Sequence, residues 1–287
     1  MWAWIASLLS RDPILIALMP VALRLPWFVF ALPAGVLTDR MDRRQLIMLM
    51  DVCRASVFAL AACVVWGALP LDPPATHGTS NPGLYLSLLV FAFIAGSAEV
   101  FRDNAAQTML PALVSRHQLE RANGRLWSVE LIGNSLLGPA LGAFLIAAIL
   151  WLPFLFNAIA FAVASFLLFS IGGRFTPAKR EVPDWRGELH EGISFLRSQS
   201  LLKLLAVITG LWNLLHQIVL IALVLYVQEN LQLGVRGYGL ILAAGALGGI
   251  AGGMLGDKVV RWMGQAGAAQ WMLVASAVAF MVIPFAP

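Results

Sequence analysis

The chain has 287 residues, 60% hydrophobic and only 12% charged, against roughly 45–50% and 25% in a typical soluble domain, a composition that argues against a soluble globular protein. Its net charge of +4 and pI near 9.5 would suggest nucleic acid if the basic residues formed one patch, but they are spread over separate loops. Cys53 and Cys63 stand about 15 Å apart along a helix, too far for a disulfide, and read as small buried hydrophobes.

In chain order, Met1 to Leu9 is apolar but lacks the basic start and small-residue cleavage site of a signal peptide. It is too short to cross a bilayer and reads as the end of a span. A spanning helix needs about 20 mostly apolar residues, and eight stretches meet that demand: Pro13 to Thr38, Gln45 to Trp66, Gly83 to Asp103, Leu126 to Ala148, Leu152 to Gly172, Leu201 to Gln228, Gly237 to Gly256 and Gly267 to Pro284. The connections between them alternate in charge. One set holds thirteen Lys and Arg, among them Arg40, Arg43, Arg44, Arg116, Arg121, Arg125, Lys258 and Arg261, whereas the other holds Arg11 and Arg236 alone. By the positive-inside rule the first set is cytoplasmic, so the basic pI reflects topology in an inner cell membrane. The longest cytoplasmic segment, Gly173 to Ser200, carries Pro177 and Pro183 and reads as a linker between an N-terminal bundle (1–172) and a C-terminal one (201–287). Within it Trp185, Leu189, Ile193 and Leu196 recur at helical spacing, the pattern of a connector helix lying on the membrane surface.

An internal repeat supports the two bundles. Gly35, Leu37, Asp39, Arg40 and Arg43 recur as Gly253, Leu255, Asp257, Lys258 and Arg261, each pair offset by 218 residues at the start of a short basic turn. Topology explains the basic residues but not Asp39 and Asp257, which add nothing to orientation. Two repeated bundles are the plan of secondary transporters.

The run Gly35-Val36-Leu37-Thr38-Asp39-Arg40-Met41-Asp42-Arg43-Arg44 resembles the signature loop of major facilitator superfamily transporters. Asp51 to Ser56, and Glu99 to Val114 with Asp103-Asn104-Ala105-Ala106-Gln107, resemble the branch that holds the enterobactin exporter and macrolide efflux proteins; Asp42 stands where the common drug-transporter form has glycine. The resemblance implies an all-α polytopic fold of two pseudo-symmetric bundles, here covering about helices 2 to 9 of twelve, with helix 1 a stub and helices 10 to 12 absent. It implies a secondary active transporter working by alternating access, an exporter of amphipathic small molecules such as drugs, macrolides or siderophores. A truncated, non-transporting remnant or accessory membrane protein is the alternative, ahead of a membrane-embedded enzyme.

In relatives the signature aspartate bonds across the bundle interface at a helix end. Carried over, Asp39 faces helix 11, and Asp257 approaches the start of helix 5 near Asn123 to Leu126, where free N–H groups and the helix dipole favour a carboxylate. Arg40, Arg43 and Arg44 either close a network with Asp42 or Asp103 or anchor to lipid phosphates. Gly138, Pro139 and Gly142 resemble the antiporter motif of helix 5 and point to proton coupling. Two glycine series, Gly245, Gly249, Gly253 and Gly248, Gly252, Gly256, line helix 8 and are expected to pack against another backbone.

Ionisable residues inside spans are functional candidates: Arg24, Asp51, Arg54, Glu99, Arg102, Glu130 and Lys203. Glu130 is the first proton-carrier candidate, with Glu99 and Asp103 beside it or as a structural or gating pair near Arg102. Arg24 and Arg54 are expected to pair with acids on neighbouring helices. Asn213, His216 and Gln217 share one face of helix 7 and are the substrate-contact candidates. No cofactor, metal or catalytic constellation emerges: the four histidines are scattered, and Pro139 and Ala140 stand where a nucleotide-binding loop following Gly133 and Gly138 would need Lys and Ser or Thr. The partners expected are therefore the lipid bilayer, a small-molecule substrate and protons, with no nucleic acid and no nucleotide.

Overall fold

The computed structural model describes residues 1–115, 118–173, 175, 187 and 194–282. Among them the regular structure is helical throughout: α1 (Trp2–Leu9), α2 (Pro13–Thr38), α3 (Arg43–Gly67), α4 (Pro82–Leu113), α5 (Leu119–Leu131), a π-helical turn (Ile132–Leu137), α6 (Gly138–Ala148), α7 (Leu152–Ser170), α8 (Ser200–Glu229) and α9 (Val235–Val282). Side chains fix the starts of the long helices. Asp12 accepts from the Ile14 N–H at 2.9 Å, Asp42 from the Gln45 N–H at 3.1 Å and Asn81 from the Leu84 N–H at 3.0 Å. Each satisfies a donor that the helix itself leaves open, and Pro13 and Pro82 occupy first-turn positions where no N–H is needed.

Six segments among the described residues are long and apolar enough to cross a membrane: Pro13–Ala31, Arg43–Gly67, Pro82–Pro111, Ala122–Ala148, Leu152–Ser170 and Ser200–Glu229. They correspond to the first six expected stretches. The expected seventh and eighth spans lie on either side of Gly264 in α9, which is two helices joined at a kink where the path breaks (φ 74°, ψ 165°), a conformation only glycine adopts readily. The third is longer than hydropathy indicates, because α4 continues through Arg102 and Asp103 to Leu113. The fourth is not one helix: the ladder widens to π geometry at Ile132–Leu137 before Pro139, which lacks an N–H to donate back.

The core is formed where α1, α2, α3, α4 and α7 meet. Trp2, Ile5 and Leu9 of α1 lie buried against Ile16 and Met19 of α2, Phe58 and Val65 of α3, Leu88 of α4 and Phe154 of α7. Trp2 meets Phe154 edge-on at 5.1 Å between ring centroids, and Phe58 stacks on Phe161 at 5.6 Å. The short α1 is thus a packed element rather than a loose end. Outward faces are apolar too, with Phe28 91% exposed and Phe166 69% exposed, the surface of a protein solvated by lipid. Cys53 is half-buried against the core and Cys63 is exposed, which corrects the expectation that both are buried.

Two close approaches set helix spacing. A side chain at Gly96 of α4 would meet the Leu23 carbonyl oxygen of α2 at 2.1 Å, and one at Gly239 of α9 would meet the Ala143 Cβ of α6 at 2.2 Å. The glycine series of α9 does not serve this purpose in its described part: Gly245, Gly248, Gly249 and Gly252 have open space around them. The surroundings of Gly253 and Gly256 lie outside the described residues. Of the expected linker helix, Trp185, Leu189 and Ile193 also lie outside them, while Leu196 sits in an exposed helical turn.

Candidate functional site

The loop between α2 and α3 draws three helix ends together. Asp39 caps the C-terminus of α2 and is exposed, as is Arg40. Asp42 does more than start α3: its second carboxylate oxygen accepts from the Phe175 N–H at 2.7 Å, and the Arg43 N–H reaches the Phe175 carbonyl at 3.4 Å. The Arg43 guanidinium donates to the Thr108 carbonyl near the end of α4 at 3.0 Å. Arg44 donates to the Leu168 and Phe169 carbonyls at the end of α7, at 2.9 and 2.8 Å. The end of α7 carries the negative pole of its helix dipole, which favours the Arg44 cation. Arg43 and Arg44 tie α3 to α4 and α7 through main-chain oxygens. Beneath them Leu46, Ile47, Ala105 and Met109 form a small buried cluster, with Leu37 and Phe175 packed on it. Gly35 has no neighbour within 4 Å of its would-be side chain.

Deeper in the same helices, roughly 12–21 Å along their axes from this end, lie three carboxylates and three guanidiniums. Glu99 of α4 stands between Arg24 of α2 at 3.7 Å and Arg54 of α3 at 3.5 Å. Asp51, fully buried, faces Arg102 at 3.6 Å, and Arg102 donates to Asp103 at 3.0 Å. Arg54 also lies over the Phe161 ring, 4.0 Å from its centroid. The charges cancel, as burial in an apolar medium requires. The expected pairing of Arg24 and Arg54 with acids on a neighbouring helix is present, with one carboxylate serving both. Most of these pairs are longer than direct hydrogen bonds, so they are ion pairs able to exchange partners rather than a locked lattice.

At the opposite end α1 meets α8 and α9. Arg11 donates to Gln228 and lies 3.7 Å from Glu229, and Gln228 donates to the Ser7 hydroxyl at 2.8 Å. Trp4 lies against Tyr238 with ring centroids 5.3 Å apart. A cavity of about 250 Å³ opens beside them, lined by Trp4, Asn134, Pro139, Gly142 and Tyr238. Gly138 and Pro139 are thus where α6 starts after the π turn, facing α9.

The remaining candidates are not gathered into this site. Glu130 is exposed near the end of α5, with no ion pair or hydrogen bond among the described residues. Asn213 donates to Thr209 one turn back on its own helix at 2.8 Å, His216 stacks on Trp212 at 4.9 Å, and Gln217 is exposed. Lys203 is exposed in the first turn of α8. Leu255, Lys258 and Arg261 are exposed on α9, and the side chain of Asp257, with its expected approach to the helix-5 start, lies outside the described residues. Sequence reasoning missed the contacts of Ser7, Arg11, Gln228 and Glu229. The available signal was Arg11 itself, one of two basic residues on its side of the chain.

No curated protein and no solved structure matches the chain. The family model described as Major Facilitator Superfamily matches residues 1–287. With apolar helices of spanning length, a signature loop tying helix ends and buried compensated charges, the chain belongs to the major facilitator superfamily, whose members are secondary membrane transporters acting on small molecules in a lipid bilayer.

Proposed function

We propose that the protein exports amphipathic small molecules of the drug, macrolide or siderophore kind from the cytoplasm, driven by protons. Its bundles, 1–172 and 201–287, rock about a central site in an inner cell membrane. The observation that carries this reading is the uneven contact of α8. Only Val224 and Val227 near its C-terminal end are fully buried, close to the Arg11, Gln228 and Tyr238 contacts, whereas Leu201 to Leu215 stand exposed. Closure at one end with separation at the other is what one state of an alternating-access cycle requires. The positive-inside rule favours a cytoplasmic position for the open end, the side from which an exporter loads.

In this reading Asp39 and its repeat partner Asp257 are conformational residues, and Asn213, His216 and Gln217 face substrate across the open end. Glu130 exchanges the proton, since Glu99, Asp51 and Asp103 are engaged by arginines and serve as the structural centre. Gly138, Pro139 and Gly142 shape the joint between α6 and α9. The test is energy-dependent efflux of a fluorescent amphipathic dye or a macrolide from cells expressing the protein. Asp39→Asn and Glu130→Gln should each lower efflux at least tenfold at unchanged membrane expression, and normal export by both variants would refute the assignment.

A further inference from the structure

The outer side of α3 and α7 carries a groove of about 560 Å³ between Met48, Val52 and Ser56 on one helix and Ala162, Phe166 and Phe169 on the other. Its two hydroxyls are taken up by main-chain carbonyls: the Ser56 hydroxyl donates to the Val52 carbonyl at 2.9 Å and the Ser165 hydroxyl to the Met48 carbonyl at 3.5 Å. The trough so presented is apolar, and from Arg44 to Ser56 it follows α3 for roughly 18 Å, about the depth of one leaflet of a 30 Å hydrocarbon core.

At its basic end stands Arg44. Two of its five N–H groups are used by the Leu168 and Phe169 carbonyls, which leaves three to donate. Both partners are neutral, and no carboxylate pairs with Arg44 among the described residues. The carbonyls and the Phe169 ring, 5.9 Å from the guanidinium, hold the cation in place without neutralising it. Arg44 thus differs from Arg24, Arg54 and Arg102, which all face acids.

We infer that this groove is a binding site for one anionic phospholipid, its phosphate on Arg44 and one acyl chain lying between α3 and α7. A guanidinium fixed by neutral carbonyls, with spare donors, favours a phosphate bearing net negative charge, and the groove adds apolar contact that a free phosphate lacks. The site depends on membrane embedding alone and not on the direction of transport.

The test is native mass spectrometry of the full protein in detergent, titrated with phosphatidylglycerol or phosphatidylcholine. Wild type should retain one phosphatidylglycerol at about tenfold lower lipid concentration than Ala162→Phe, which fills the groove from an exposed position and leaves Arg44 intact. Arg44→Gln should lose the preference for phosphatidylglycerol over phosphatidylcholine. Retention by Ala162→Phe equal to wild type would overturn the proposal, as would equal retention of both lipids by wild type. A dimer mass abolished by Ala162→Phe would assign the groove to a second copy instead, and thermal stabilisation by inorganic phosphate matching that by the lipid would reduce it to an anion site.

Discussion

Asp42 shows how one residue can hold several structures together. One oxygen caps α3 and the other holds the Phe175 main chain beside the ends of α4 and α7. An N-cap is worth about 1 kcal/mol, and a hydrogen bond to an ionised acceptor about 1.5–3 kcal/mol. Asp42→Ala should therefore destabilise the protein by about 2.5–4 kcal/mol. Asp42→Asn, which caps as well but has a single acceptor oxygen, should lose the Phe175 bond alone, about 1 kcal/mol less than Asp42→Ala. Thermal unfolding of the purified variants orders them, and an Asn variant as stable as wild type would show that the Phe175 contact contributes nothing. The sequence marks Asp42 as a departure from the common family pattern, but its second contact spans 133 positions and no local pattern reports it.

Among elements, the decisive contacts are those where backbones nearly touch. Without a hydrophobic drive between helices in lipid, association rests on close packing, for which glycine gives room. Gly96 supplies it between α2 and α4, and Gly239 between α6 and α9. Gly96→Ala should destabilise by about 1–3 kcal/mol through overpacking, whereas Gly142→Ala, with open space around it, should change stability by less than about 0.5 kcal/mol. Denaturant titrations of the two variants make the comparison, and equal shifts would contradict the close approach. Periodicity drew attention to the glycine-rich face of α9, yet its described members face open space. Spacing tells which glycines share a face, but not whether another helix lies against it.

For the whole molecule, the contacts at the Arg11 end are the ones that must break if α8 and α9 are to move from α1. The Arg11 to Glu229 pair is partly exposed and contributes little by itself, about 0–1 kcal/mol. The hydrogen bond to Gln228, itself held by Ser7, adds about 1.5 kcal/mol. Arg11→Ala should thus move the equilibrium between closed and open ends by about tenfold. In a background with Cys53 and Cys63 replaced by serine, maleimide labelling of Val224→Cys, at a fully buried position beside Trp4 and Ile146, should accelerate by that factor. An unchanged labelling rate would mean that these contacts do not hold the end shut.

Composition and apolar run length by themselves determined that this is a helical membrane protein, and the motif at Gly35 to Arg44 determined its family, because both are properties of contiguous residues. The first six spans were legible for the same reason, as was the pairing of Arg24 and Arg54 with a neighbouring helix: charge in hydrocarbon demands a partner. The tertiary structure alone decided that Glu99 serves both arginines, that Arg43 and Arg44 reach main-chain carbonyls of α4 and α7, and that α1 meets Gln228 and Glu229. Those outcomes depend on the depth and rotation of each helix relative to the next. Helix periodicity says which residues share a face, and packing alone says what that face meets.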